Sequence, residues 1–93
     1  MARRKFASVW DALEDTAAEA ANMRARSELM FAVRSKIESW KVSQNEAARR
    51  LGLTQPRLND LLRGRIDKFS LDALINLAGP AGLAVRLQIR EAA

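Results

Sequence analysis

Ninety-three residues suffice for one small domain, and the absence of cysteine and histidine removes disulfides, thiolate metal sites and the commonest general base. The net charge of +5 and a pI near 10.7 favour a polyanionic partner without naming one. The longest apolar run is far too short for a membrane span, and the basic Met1-Ala2-Arg3-Arg4-Lys5 start leads into no signal-peptide core, so a cytoplasmic location is expected.

In chain order, Phe6, Val9, Trp10, Leu13 and Ala17 recur at helical spacing and predict a first helix over residues 6–21. Thr16 followed by Glu19 has the form of a capping box, which places a break near Asp15 and a new start at Ala17. Asp11, Glu14, Asp15 and Glu19 make this segment acidic. A second helix, from about Arg24 to Trp40, carries Leu29, Met30, Val33, Ile37 and Trp40 on one stripe and ends at Lys41-Val42. Met23 and Met30, at heptad spacing, are expected in the packing.

Ser43 with Glu46 is a second capping box and opens a helix from Gln44 to Leu51, which Gly52 closes. Thr54 caps the next helix, Pro56 sits in its first turn where a missing N–H costs nothing, and the helix runs to Arg63 before Gly64. A polar connection reaches Ser70, the cap of a helix from Leu71 to about Ala78, and Gly79-Pro80 and Gly82 mark a break.

The last segment changes period. Val85, Leu87 and Ile89 alternate with Arg86, Gln88 and Arg90, which predicts a β-strand. A lone strand cannot satisfy its own backbone groups, so pairing with the same strand of a second chain, across a two-fold axis, is expected. The division is then 1–21 as a helical extension, 22–82 as the central domain and 83–93 as a dimerisation strand.

The stretch 44–63 carries the chemistry. Two short helices meet at Gly52; Ala47 and Ala48 are small where the helices face each other, and Leu51, Leu53, Leu58 and Leu61 fix their angle. The outer face of the second helix is polar and free to enter a major groove. There Gln55 and Asn59 suit adenine, Arg57 suits guanine or a phosphate, and Asp60 can accept from cytosine, with Pro56 beside them. Ser43, Gln44 and Thr54 lie at helix N-termini, natural phosphate sites, and Arg63, Arg65 and Lys68 would reach backbone phosphates at the groove edge.

This window resembles the helix-turn-helix of phage Cro/cI-type repressors, the XRE family, in the Gln opening each helix, the small Ala48, the turn glycine and the Leu58/Leu61 pair. The resemblance implies an all-α, five-helix lambda-repressor-like domain that binds inverted-repeat operators in double-stranded DNA as a homodimer, here with the short C-terminal strand for dimerisation. Residues matching Gln55, Pro56, Arg57, Asn59 and Asp60 then face bases, and Gln44 holds a phosphate. Pro56 and Asp60 depart from the residues most used in direct readout.

Ser8-Val9-Trp10-Asp11-Ala12-Leu13, Asn22 to Met30 and Leu62 to Leu74 resemble a bacterial subfamily that includes HigA-type antitoxins. That resemblance implies a second role, neutralising a RelE/HigB-like mRNA-cleaving toxin while repressing the shared operon. The alternative is a stand-alone phage-type repressor without a toxin partner. The stripe Phe6, Val9, Trp10 and Leu13 either covers the domain or docks the toxin, its acids complementing a basic enzyme. No catalytic residues, metal ligands or cofactor site are expected, because neither a nucleophile–base pair nor a phosphate-cradling glycine loop is present.

Overall fold

A single helix sets the length of the molecule. The computed structural model describes residues 9–92, with side chains from residue 16 onward. Helix α1 runs from Val9 to Trp40 without interruption, 32 residues or about 48 Å at ~1.5 Å per residue, against a longest dimension of 51 Å. The expected break near Asp15 is absent. Neither glycine nor proline occurs between Val9 and Trp40, and Ala17-Ala18-Glu19-Ala20-Ala21 are strong helix formers. Thr16 is therefore an interior residue rather than a cap. Lys41 ends α1 with φ 54°, taking the left-handed conformation usually given to glycine at a helix C-terminus.

Three short helices follow: α2 (Gln44–Leu51), α3 (Gln55–Leu62) and α4 (Leu71–Ala78), with a 3-10 turn at Ile66–Lys68 between the last two. Each of the three starts on the hydroxyl cap its sequence predicts, with Ser43, Thr54 and Ser70 accepting from the backbone N–H of Glu46, Arg57 and Ala73. The Ser43 box is only half closed, because the Glu46 carboxylate turns to Arg49 and Arg50. Among the described residues four α-helices thus stand in place of the expected five, the first two having fused.

The core lies against the C-terminal half of α1. Met30, Val33 and Ile37 meet Ala47, Ala48 and Leu51 of α2, Leu58 and Leu61 of α3, and Leu74 and Leu77 of α4. Phe69, the largest fully buried side chain, closes the gap between α3 and α4. Leu29 and Trp40 flank this cluster half-buried, and the Trp40 ring carries the Arg50 guanidinium 5.0 Å from its centroid. Met30 packs as its spacing suggests; Met23 does not, being 42% exposed. Every residue from Thr16 to Arg24 is exposed, so this stretch of α1 leaves the core and stands in solvent.

No strand forms among the described residues. Residues 83–92 have no regular secondary structure, in place of the strand expected over 84–90. The physical reason is the one that motivated pairing: within one chain this segment has no neighbouring strand to hydrogen-bond. Leu87 and Ile89 stay almost wholly exposed, and Val85 is partly so. The segment instead borders an open groove with Ala25 and Leu29 of α1 and Ile75 of α4.

Candidate nucleic-acid interface

The α2–α3 unit has the geometry its sequence demands. Gly52, at φ 69° and ψ 31°, donates its N–H back to the carbonyls of Ala48 and Arg49 and turns the chain. Buried Ala47 and Ala48 bring α2 close to Leu58 and Leu61, each fully buried. The unit is a rigid pair because all four contact positions are small or branched apolar groups at close range.

On α3 the polar residues divide. Gln55 and its neighbour Pro56, with Asn59 three to four residues on and Arg63 a further four, are exposed and share one solvent-facing stripe. Arg57 lies on the flank. Its guanidinium stacks 4.0 Å from the Phe69 ring centroid, and Nη1 donates to the Lys68 carbonyl at 2.7 Å. Asp60 is also half-buried, with Arg65 Nη1 3.6 Å from its Oδ1 and the Arg65 N–H bonded to its carbonyl at 3.1 Å. Of the five residues expected at bases, Gln55, Pro56 and Asn59 are thus presented freely, while Arg57 and Asp60 tie α3 to the segment after it.

The phosphate candidates flank this stripe. Gln44, Ser43 and Thr54 are exposed at the N-termini of α2 and α3, with the Ser43 and Thr54 hydroxyls occupied as caps. Around the motif, Arg49 and Arg50 share Glu46 at 2.6 and 3.0 Å, and Arg65 pairs with Asp60. Hydrogen bonds from Arg49, then Arg50, hold the Glu46 carboxyl down at about 2, against its usual 4.5. Lys41, Arg63 and Lys68 are exposed and have no ion-pair partner among the described residues, so their charge is the most available to a polyanion.

Two supports were not visible in the sequence. Phe69 serves as the platform for Arg57, and nothing at a spacing of twelve residues announces such a stack. Arg26 Nη1 donates to the Ile66 carbonyl at 3.3 Å, and the Arg34 guanidinium lies against Gly64, where a Cβ would come within 3.1 Å of Nη1. Helix α1 thereby braces the loop that follows α3. Of the tail positions, Val85, Leu87 and Ile89 are exposed in the single chain. In the N-terminal stripe, Phe6 lies outside the described residues, and for Val9, Trp10 and Leu13 only the helical backbone is described.

Among the described residues no helix is long and apolar enough to cross a membrane, and no acidic cluster could hold a metal ion. No curated protein matches the chain. A solved structure provisionally assigned as an XRE family transcriptional regulator is similar to it, with 28% identity and a TM-score of 0.72 over 80% of this chain and 83% of that one. The family model described as a helix-turn-helix domain matches residues 12–90, nearly all of α1 included. The chain belongs to this helix-turn-helix family and is a DNA-binding protein of the transcriptional-regulator type.

Proposed function

We propose that the protein is a sequence-specific repressor that binds an inverted-repeat operator as a homodimer. The observation that carries this reading is the free Gln55–Pro56–Asn59 face on a helix whose buried side is locked by Leu58 and Leu61. Gln55 and Asn59 both offer a paired donor and acceptor suited to adenine N6 and N7. Arg63 and Lys68, with Gln44 at the start of α2, are the phosphate contacts that fix the register; Arg65 and the Ser43 and Thr54 caps lie beside them. Arg57 and Asp60 contribute by holding α3 at its angle and reach bases only if the groove displaces their present partners. Pairing of the 84–90 tails, through Val85, Leu87 and Ile89, supplies the homodimer. The exposure of these apolar residues in the single chain supports it.

Repression follows where the operator overlaps a promoter. The resemblance of residues 8–13, 22–30 and 62–74 to HigA-type sequences supports an antitoxin role against an mRNA-cleaving toxin, and the acidic Asp11–Glu19 segment suits a basic partner. The test is to express the tagged chain with its neighbouring genes and select its binding sites from random duplex DNA. The expected result is an inverted repeat together with a small basic protein in stable complex. Equal binding to every duplex would refute sequence-specific recognition. A selected repeat with no co-eluting protein would leave a stand-alone repressor and refute the antitoxin role.

A further inference from the structure

The turn that ends α1 is made in a way the chain avoids elsewhere. The described residues with positive φ are Gly52 at 69°, Gly64 at 73°, Gly82 at 81° and Lys41 at 54°. In this left-handed region Cβ crowds the following carbonyl oxygen, so helix C-termini favour glycine there. Lys41 alone accepts the crowding, and its side chain returns nothing to the packing. It is exposed and lies outside the core cluster. Its ammonium has no ion-pair or hydrogen-bond partner among the described residues. A side chain kept at a strained backbone position, with no part in the fold, points to a use outside it.

Placement and charge say what that use is. Lys41 lies two residues before Ser43, the cap of α2, and three before Gln44. At ~3.8 Å per residue, its Cα is within about 11 Å of the Gln44 Cα. In a helix-turn-helix the first helix crosses the DNA backbone while the second enters the groove. A cation at the entry to α2 therefore stands beside phosphates rather than base edges. Its charge is also available. Glu46, in the first turn of α2, is already held by Arg49 and Arg50, and Glu38, one turn back on α1, is not within ion-pair distance.

We propose that Lys41 is a DNA-backbone contact, its ammonium binding a phosphate beside the entry to α2, and that the strained turn is retained to place it there. The inference rests on the DNA-binding reading and adds a contact before the motif to those of Arg63 and Lys68 after it. Lysine suits the task, because a flexible stem carries a point charge to a phosphate without demanding a fixed fork geometry. Such a contact carries no sequence information, so it strengthens binding to every duplex alike.

The competing role is structural, since a cation at the end of α1 interacts favourably with the last carbonyls of that helix. The two roles differ in sign. Lys41→Gly removes both the charge and the crowding, so it should raise the urea midpoint. It should also weaken binding to a mixed-sequence duplex about fivefold to tenfold in about 0.1 M salt. The slope of log affinity against log salt should fall by about one for each chain bound. Lys41→Gln keeps a long side chain on the same turn; it should lose the same affinity and slope without the gain in midpoint. Lys41→Arg should retain both. A Lys41→Gly protein less stable than wild type that binds the duplex as tightly would show that the charge serves α1, and overturns the inference. An unchanged salt slope in Lys41→Gln does the same. A wild-type chain that binds no duplex overturns the DNA-binding reading, and the role of Lys41 with it.

Discussion

At the residue scale, neighbouring positions on α3 have separable roles. Gln55 is exposed and touches nothing that holds the fold, so Gln55→Ala should leave the melting temperature unchanged. It should cost about 1–3 kcal/mol in binding to the selected operator, with relaxed preference at one base position. Arg57→Ala removes a ring stack and a hydrogen bond, together worth about 1–2 kcal/mol of stability. It should lower the urea midpoint and operator affinity together; a midpoint equal to wild type would show that the Phe69 stack holds nothing. Glu46 offers a pH signature. Its carboxyl is depressed to about 2 by Arg49 and Arg50, so its stabilising contribution is fully present above about 4.5 and lost as pH falls through about 2. Thermal melts between pH 5 and pH 2 should therefore fall less steeply for Glu46→Gln than for wild type. The pair is exposed, so added salt should shrink that difference.

At the element scale, what the sequence revealed and what it hid have different physical origins. The caps at Ser43, Thr54 and Ser70 and the turn at Gly52 are local bonds between residues three or four apart, so their spelling is in the sequence and the structure repeats it. The apparent box at Thr16 misled because the same spelling occurs inside helices, and only the lack of a breaker distinguishes the two. The exposed face of α3 was legible as a polar stripe. That Arg57 and Asp60 leave it for Phe69 and Arg65 was not, because those partners are brought in by tertiary packing. Gly52 and Gly64 make this locality measurable. Gly52 has open space where a Cβ would go, so Gly52→Ala should cost only the left-handed backbone penalty of about 1–2 kcal/mol. Gly64, also at positive φ, has the Arg34 guanidinium 3.1 Å from that position. Gly64→Ala should cost more than Gly52→Ala in denaturant melts, and the order should reverse or vanish if α1 does not brace this loop.

At the scale of the whole molecule, binding by the proposed dimer depends on how many free cations it presents and how far apart it holds them. Lys41, Arg63 and Lys68 are exposed and without an ion-pair partner among the described residues, whereas Arg49, Arg50 and Arg65 already face carboxylates. Salt dependence should follow the first group. Lys68→Ala should weaken binding to all duplexes alike and lower the slope of log affinity against log salt by about two, roughly one per half-site. Spacing is the stricter test of the dimer. A two-fold pair reading one face of DNA sets its recognition helices about 34 Å apart, one helical turn. Adding about five base pairs between the half-sites rotates one of them by half a turn, to the far side of the duplex. Each half-site keeps its sequence, so only the simultaneous engagement of both is lost. Affinity should then fall to that of a single half-site. If the spaced operator binds as tightly as the original, the two recognition helices are not rigidly coupled, and the chain reads its half-sites one at a time.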